Sequence, residues 1–352
     1  MADQVGIVTR YFKHEVSRAA LQLAEIAENL GMRPTILAGP VCRKEVSPHW
    51  DSRVIDARKA DFREWALGCS HVIWTAPPPA RDVLWCREHG IETVLLVVWD
   101  ELLPHHKHAV CCIDSLVFPH RCACEAVCRR WSSADTHFYP YIAPWSAPLP
   151  ICENATGSGG STLSIFLPLH DSQTGRSDLE VLSIGEHIVR SVPDVRFTIS
   201  SGAQWTLQAL RRVRTLCKRY PERFIRVVKP NLVRQVGLYG TSQLVLWPAK
   251  HEGLATVGLM ALHMGVPVLA WDIPPQNEYL RAKENAILVP CNMRSNWLGV
   301  PQAMPDWRRF LQHTLMLLQS RRVLRRMKQH TDIGLQARKQ MFQQTWEKVL
   351  SR

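Results

Sequence analysis

The sequence lacks long apolar stretches. None of its apolar runs reaches the roughly 18 residues that a membrane-spanning helix needs. The first residues, MADQVGIVTRYFKHE, contain no apolar signal core. We therefore expect an intracellular protein. With 46% hydrophobic and 21% charged residues, the composition is typical of a folded globular chain rather than a disordered one.

Paired C-x2-C motifs are also absent, although the chain has eleven cysteines. An odd number of cysteines without an export signal indicates reduced thiols rather than a disulfide framework. Several of them lie close to histidines: Cys111, Cys112, Cys122, Cys124 and Cys128 beside His105, His106, His108 and His120. Zinc is one interpretation, but the spacing fits neither a ribbon nor a finger. We predict no metal and interpret the thiols as small apolar side chains.

Acidic residues are scarce in the second half. Residues 1–150 contain 16 Lys and Arg against 17 Asp and Glu, whereas residues 151–352 contain 27 against 14. The segment 207–234 alone holds nine basic residues and one acidic residue, and a second basic run follows at 321–328. The positive electrostatic potential of such a segment attracts polyanions, which include nucleic acid, an anionic membrane face and phosphorylated substrates. The alternative is a set of amphipathic helices with solvated arginine faces.

Short apolar runs alternate with helix-like stretches in both halves, which predicts parallel βαβ units and sheets covered on both faces. The polar, glycine-containing segment ICENATGSGGST at 151–162 is the predicted linker. We expect an N-terminal acceptor-side domain at 1–150 and a C-terminal ligand-binding domain at 163–330. A final helix at 331–352 is expected to pack back on the N-terminal domain. Ligands of such sheets bind beyond the carboxyl ends of the strands.

The sharpest motif is QLVLWPAKHEGLATVGLMALHMGVPVLAW, from Gln243 to Trp271, followed by ENAILVP. Its order of strand, turn, helix and G-V-P-V strand resembles the retaining, nucleotide-sugar-dependent glycosyltransferases of the GT-B fold, which include glycogen synthases and bacterial lipopolysaccharide glycosyltransferases. The resemblance runs loosely through nearly the whole chain and is sharp only in the second half. It implies an α/β protein of two doubly wound Rossmann-like domains facing across a cleft. It also implies a UDP-sugar co-substrate, such as UDP-glucose, and no required cofactor or metal.

The turn of this motif carries E-x7-E in the family. Glu252 matches the first glutamate, which typically approaches the hydroxyls of the donor sugar, and so takes a catalytic and donor-binding role. Met260 replaces the second glutamate, which holds the ribose. We therefore expect another group to hold the ribose, or a loose hold on it with relaxed donor selectivity. The amides that would bind the diphosphate at the helix start are those of Gly253, Leu254, Ala255 and Thr256.

A second donor feature of the family is the pair R-x5-K after the first strand of the second domain. In LPLHDSQTGRSDL, His170 and Arg176 stand at that separation. Arg176 can clamp a phosphate bidentately and stays charged, so it is a candidate for stabilising the leaving diphosphate. His170 would act when protonated or as a neutral donor. The alternative is a polar loop with an incidental arginine. Glu278, in PPQNEYL, stands where the family has further donor contacts.

The acceptor side departs further from the family. The usual Gly-Gly turn after the first strand is missing from TRYFKHEVSRAA, so we expect the side chains of Arg10 and Lys13 to serve there. Asp100 ends the run TVLLVVWD, near a position where the family often has a histidine. It is a candidate acceptor-side base, with a capping carboxylate as the alternative. His120, in VFPHRC, is a second candidate.

Three interpretations of the acceptor remain. The first is a 5-hydroxymethylpyrimidine in DNA, as in virus-encoded DNA glucosyltransferases, which fits the basic second half. The second is an anionic lipid or lipopolysaccharide at the inner membrane face, with peripheral membrane contact; the neutral first half disfavours it. The third is a binding protein without turnover, suggested by Met260. We predict the DNA acceptor, in a bacterial cytoplasm or a virus-infected host cell, with no obligate protein partner.

Overall fold

The computed structural model describes residues 3–9, 15–39, 52–131, 137–139, 162–169, 178–201, 207–228, 232–251, 253, 256–331 and 335–351. The chain divides into two compact units. Unit 1 comprises Met1–Ala147 and Ala337–Arg352, and unit 2 comprises Pro148–Gln336. The linker expected at 151–162 lies almost wholly outside the described residues.

Unit 1 is built on a seven-stranded sheet in the order β3-β2-β1-β4-β5-β6-β7. Every neighbouring pair of strands is parallel. The direction of winding reverses between β1 and β4, which makes the sheet doubly wound. The strands are β1 Gln4–Thr9, β2 Arg33–Ala38, β3 Val54–Asp56, β4 His71–Trp74, β5 Glu92–Leu96, β6 Ser115–Val117 and β7 His137–Tyr139.

Unit 2 repeats this plan with six parallel strands in the order β10-β9-β8-β11-β12-β13, beside an antiparallel pair, β14-β15. Its strands are β8 Leu163–Leu169, β9 Val195–Ser201, β10 Phe224–Val228, β11 Leu244–Trp247, β12 Val268–Trp271, β13 Ala286–Val289, β14 Asn292–Ser295 and β15 Pro301–Met304. The reversal falls between β8 and β11. The expected doubly wound α/β architecture is therefore confirmed in each unit.

Helices connect the strands in both units. In chain order they are α1 Glu15–Asn29, α2 Phe62–Ala66, α3 Ala80–Glu88, α4 Lys107–Cys111, α5 Arg121–Trp131, α6 Asp178–Ser191, α7 Leu207–Arg219, α8 Leu232–Gly240, α9 Thr256–His263, α10 Gln276–Tyr279, α11 Trp307–Gln319, α12 Arg321–Lys328 and α13 Leu335–Leu350. Within the described ranges, no helix is long and apolar enough to cross a bilayer.

The last helix, α13, belongs to the core of unit 1. Phe342 and Trp346 share one buried apolar cluster with Ile7 of β1 and Leu23 of α1. Trp346 is fully buried. Burying a large aromatic side chain contributes on the order of 2 to 3 kcal/mol. The end of the chain therefore completes one face of the unit 1 sheet.

The helices of unit 2 form two layers, one on each face of its sheet. Side chains of α6, α7, α11 and α12 belong to one apolar cluster that includes Leu246 and Trp271. Side chains of α8, α9 and α10 belong to another, which includes Val245 and Ala270. Neighbouring residues of β11 and β12 contribute to opposite clusters, as the alternation of side chains along a strand requires.

Several elements differ from the sequence-based expectation, and two of these differences bear on the candidate sites. The run TVLLVVWD was expected to be one strand ending at Asp100, but β5 ends at Leu96. The last ladder bond there runs from the amide of Val97 to the carbonyl of Val117. Beyond that point the chain turns into a 3₁₀ helix, Trp99–Glu101. The β14-β15 pair was not predicted, because the exposed sequence NMRS has no apolar alternation.

Candidate functional site

A rigidly held segment, Pro248–His251, leaves β11 at the carboxyl edge of the unit 2 sheet and leads directly to Glu252. Three successive carbonyl oxygens of this segment accept hydrogen bonds: Pro248 from Trp271 Nε1 at 3.1 Å, Ala249 from Gln276 Nε2 at 3.1 Å, and Lys250 from the Ala303 amide at 2.8 Å. The segment is therefore tied to β12, to α10 and to β15 at once. Such fixed backbone positions favour a preorganised ligand site.

The two side-chain donors are themselves fixed by burial. Trp271 is fully buried and packs against Trp307 and Phe310, with ring centroids 5.5 and 4.8 Å apart. Gln276 is also fully buried, and its Oε1 has no hydrogen-bond partner in the described part of the chain. An unsatisfied buried acceptor costs about 1 to 3 kcal/mol. Gln276 therefore holds the Ala249 carbonyl through its amide nitrogen, and its Oε1 is open to a ligand or a water molecule.

The helix after the turn, α9, is fixed by close packing against α10. A Cβ atom added to Gly258 would lie 2.5 Å from Cε2 and 2.8 Å from the hydroxyl oxygen of Tyr279. Tyr279 is only 3% exposed. Only glycine therefore permits this approach, so the segment before Glu252 and the helix that begins at Thr256 are both held by buried contacts.

Met260 lies inside the hydrophobic core. Its side chain is 4% exposed and belongs to the apolar cluster of α8, α9 and α10, together with Tyr239 and Leu262. The position that carries the second carboxylate of the family is therefore occupied by an apolar side chain in apolar surroundings.

Three of the other predicted donor residues lie at the carboxyl edge of the unit 2 sheet. Gly253 is buried, Thr256 is the first residue of α9, and Glu278 is half-buried in α10. All three follow the carboxyl ends of β11 or β12. The remaining predicted donor residues lie outside the described residues: His170, Arg176, Glu252, Leu254 and Ala255.

Two acceptor-side candidates follow neighbouring strands of unit 1. Asp100 is half-buried in the 3₁₀ turn after β5 rather than at the end of the strand, and His120 is 2% exposed between β6 and α5. The carbonyl of His120 accepts a hydrogen bond from the Cys124 amide at 3.1 Å, at the start of α5. Because β5 and β6 are parallel neighbours, both residues lie at the carboxyl edge of the sheet. Arg10 and Lys13 lie outside the described residues.

Three of the cysteines near the histidines of unit 1 have sulfur contacts within the protein. Cys124 and Cys128 lie on successive turns of α5 with their sulfur atoms 3.7 Å apart, and Cys111 Sγ donates to the carbonyl of Trp131 at 3.3 Å. Burial raises the pKa of the Cys111 and Cys128 thiols, which disfavours the thiolate form that binds metals. In the described ranges, no three His, Cys, Asp or Glu side chains are grouped to hold a metal ion.

Comparison with known proteins gives a consistent fold class. No family model matches the chain, and no curated protein matches it. Among solved structures, a glycosyltransferase from Rickettsia africae is 12% identical over 99% of both chains, with a TM-score of 0.73. The Anabaena protein HepE in complex with UDP-glucose is 11% identical over 99% of this chain and 100% of that one, with a TM-score of 0.72. The pneumococcal O-GlcNAc transferase GtfA, in complex with UDP and GlcNAc, is 10% identical over 100% of both chains, with a TM-score of 0.70.

These structures place the chain in the GT-B fold class. The likeness spans essentially the whole chain and covers both units. The fold expected from the motif between Gln243 and Trp271 is thereby confirmed.

Proposed function

We propose that this chain is a nucleotide-sugar-dependent glycosyltransferase that moves a hexose or related sugar from a UDP-sugar to a hydroxyl acceptor. The observation that carries the proposal is the anchoring of Pro248–His251 at the carboxyl edge of the unit 2 sheet, because sheets of this kind bind their ligands beyond that edge. HepE was solved with UDP-glucose and GtfA with UDP and GlcNAc, which makes UDP-sugars the first donors to test.

The donor roles follow from the chemistry of the side chains. Glu252 accepts hydrogen bonds from the sugar hydroxyls, since a carboxylate offers several lone pairs. Arg176 neutralises the charge that develops on the leaving diphosphate. The amides from Gly253 to Thr256 add donors at the helix start, and His170 and Glu278 complete the donor side.

The proposed acceptor is a 5-hydroxymethylpyrimidine in DNA. The excess of 27 basic over 14 acidic residues in 151–352 supports a polyanionic acceptor. Asp100 is proposed to take the proton of the acceptor hydroxyl, for which it must come within about 3 Å of that group. Arg10, Lys13 and His120 are proposed to contact the acceptor.

The test of transfer is direct. The full chain is incubated with a panel of UDP-sugars and DNA containing hydroxymethylcytosine, and the DNA is then digested to nucleosides and weighed by mass spectrometry. We expect a nucleoside heavier by one sugar residue. A nucleoside of unchanged mass would contradict the DNA acceptor. If none of the UDP-sugars is hydrolysed either, the result would favour a binding protein.

The role of Glu252 is tested with a matched pair of variants. Glu252→Gln should lower kcat about 100-fold or more, since an interaction at the reacting centre is lost. Glu222→Gln, which changes an exposed carboxylate in a turn of the same unit, should leave kcat unchanged. Equal activity of the two variants would remove Glu252 from the proposed site.

A further inference from the structure

The basic residues of unit 2 are concentrated in the helix layer on one face of its sheet. Helices α6, α7, α11 and α12, which share one apolar cluster, contain thirteen Lys and Arg and three Asp and Glu. Helices α8, α9 and α10 on the opposite face contain one basic and one acidic residue. We call the layer formed by α6, α7, α11 and α12 the basic face. The charge excess is therefore a property of one surface.

The carboxylates of the basic face do not neutralise it. The side chain of Glu186 is only 8% exposed, and its carboxylate forms ion pairs with three guanidinium groups. They belong to Arg190 at 2.7 Å, Arg219 at 3.2 Å and Arg212, whose Nη2 also contacts it. One buried negative charge thus holds three positive charges in place and leaves an excess of two. A polyanion meets guanidinium groups that are already positioned, which lowers the entropy cost of binding.

A pocket beside α12 brings three cationic side chains together at one end of this face. Arg321, Arg325 and Lys328 stand four and three residues apart, so they lie on the same side of the helix. They line a pocket of about 130 Å³ together with Thr162, Gln243 and the apolar side chains of Leu163 and Leu324. Arg321 also pairs with Asp194 at 3.8 Å. A water molecule occupies about 30 Å³ in the liquid, so the pocket has room for a group the size of a phosphate.

The pocket and the candidate donor site lie at opposite edges of one sheet. Thr162 directly precedes β8 and Gln243 directly precedes β11, so the pocket is at the amino edge. Pro248–His251 lies at the carboxyl edge. The cations of α12 therefore do not belong to the candidate donor site.

We propose that the basic face binds the phosphate backbone of nucleic acid and that the α12 pocket holds one of its phosphates. Eleven of the thirteen basic residues are arginines, whose planar fork matches phosphate oxygens in pairs. The exposed large apolar side chains on these helices are aliphatic and stand one to a helix: Leu179, Leu207, Met316 and Val323. A membrane-binding helix typically carries several Trp, Phe and Leu side chains together on one face, so nucleic acid fits this surface better. This inference rests on the proposed function in one respect: the basic face presents the acceptor only if DNA is the acceptor.

The experiment measures binding separately from transfer. The full chain is titrated with a labelled duplex of unmodified DNA at several salt concentrations, without a sugar donor. In the variant Arg214→Gln/Arg325→Gln/Lys328→Gln, we expect the slope of log affinity against log salt to shrink by about 1.8, since the phosphate contact of Arg214 and the single phosphate contact of the pocket are both lost and each contributes about 0.9. The affinity at low salt should fall at least about tenfold. Arg325→Gln alone, which changes only the pocket, should shrink the slope by about 0.9.

The control variant removes the same charge from unit 1. Arg33→Gln/Arg129→Gln/Arg130→Gln changes three exposed residues there and should keep the wild-type slope. An unchanged slope in the unit 2 variant would overturn the inference. Binding to phosphatidylserine vesicles without binding to the duplex would overturn it in favour of a membrane surface. If the wild type transfers no sugar but the two variants differ in slope as expected, the proposed function is contradicted and the nucleic-acid-binding surface is supported.

Discussion

Met260 is packed among apolar side chains at the position where the resemblance places a ribose-binding carboxylate. A carboxylate introduced there would be buried without a cation, so its charged form would be strongly disfavoured. We expect Met260→Glu to lower the free energy of unfolding by about 3 to 5 kcal/mol at neutral pH, the cost of an uncompensated buried charge. Met260→Leu, which conserves volume, should cost less than about 1.5 kcal/mol. Urea denaturation of both variants measures the difference.

The same pair of variants tests the donor interpretation of this position. If Met260→Glu is as stable as Met260→Leu and binds UDP-glucose more tightly than the wild type, the side chain faces the ribose and the packing interpretation is wrong. If it is destabilised and donor preference is unchanged, this chain holds the nucleoside through other groups.

At the scale of elements, the approach of α9 to α10 positions the candidate site. Gly258→Ala would place a Cβ atom 2.5 Å from the buried ring of Tyr279. We expect a loss of about 1 to 3 kcal/mol in the free energy of unfolding, as for other overpacked cores. A shift of α10 would also move Gln276 and weaken donor binding. Isothermal titration with UDP-glucose and urea denaturation measure the two effects.

The matched control is a glycine on the same face with open space around it. No heavy atom lies within 4 Å of a Cβ atom added to Gly237, in α8. Gly237→Ala should therefore stabilise the protein by about 0.5 to 1 kcal/mol, since glycine weakens a helix interior. Equal effects of the two alanine substitutions would show that contact with Tyr279 does not determine the packing of α9.

Local sequence patterns predicted most of the strands and the fold class, but not the long-range contacts that hold the candidate site. Apolar runs predicted most of the parallel strands, because strands such as β4, β5, β11 and β12 are buried on both sides, and the motif near Glu252 predicted the fold class. The short edge strand β3, Val54–Asp56, was not predicted. Trp271 and Gln276 were not singled out, since their hydrogen bonds reach carbonyls 23 and 27 residues away and leave no local pattern. Charge counting located the basic half, but only packing shows that α7 and α12 share a face.

At the scale of the whole molecule, stability should depend on pH through His71. This residue begins β4, which lies between β1 and β5 in the unit 1 sheet, and it is 6% exposed. Burial lowers the pKa of its imidazole below the ordinary value of 6.5, and the nearby carboxylate of Asp3 offsets part of the effect. The unfolded chain therefore binds a proton near pH 6.5 that the folded chain does not yet accept. The stabilising contribution is complete above that pH and is lost as the pH falls through the lowered pKa of the folded state.

Comparison of two histidine variants isolates this contribution from the other titrating groups. Between pH 7 and 5, we expect the free energy of unfolding of the wild type to fall more steeply than that of His71→Gln, by up to about 1.4 kcal/mol per pH unit for one proton. His108→Gln, which changes an exposed histidine of the same unit, should retain the wild-type slope. Urea denaturation at a series of pH values gives the slopes. Parallel curves for the wild type and His71→Gln would mean that the imidazole is protonated equally in the folded and unfolded chains, and burial at the start of β4 would then have no part in the acid sensitivity of the protein.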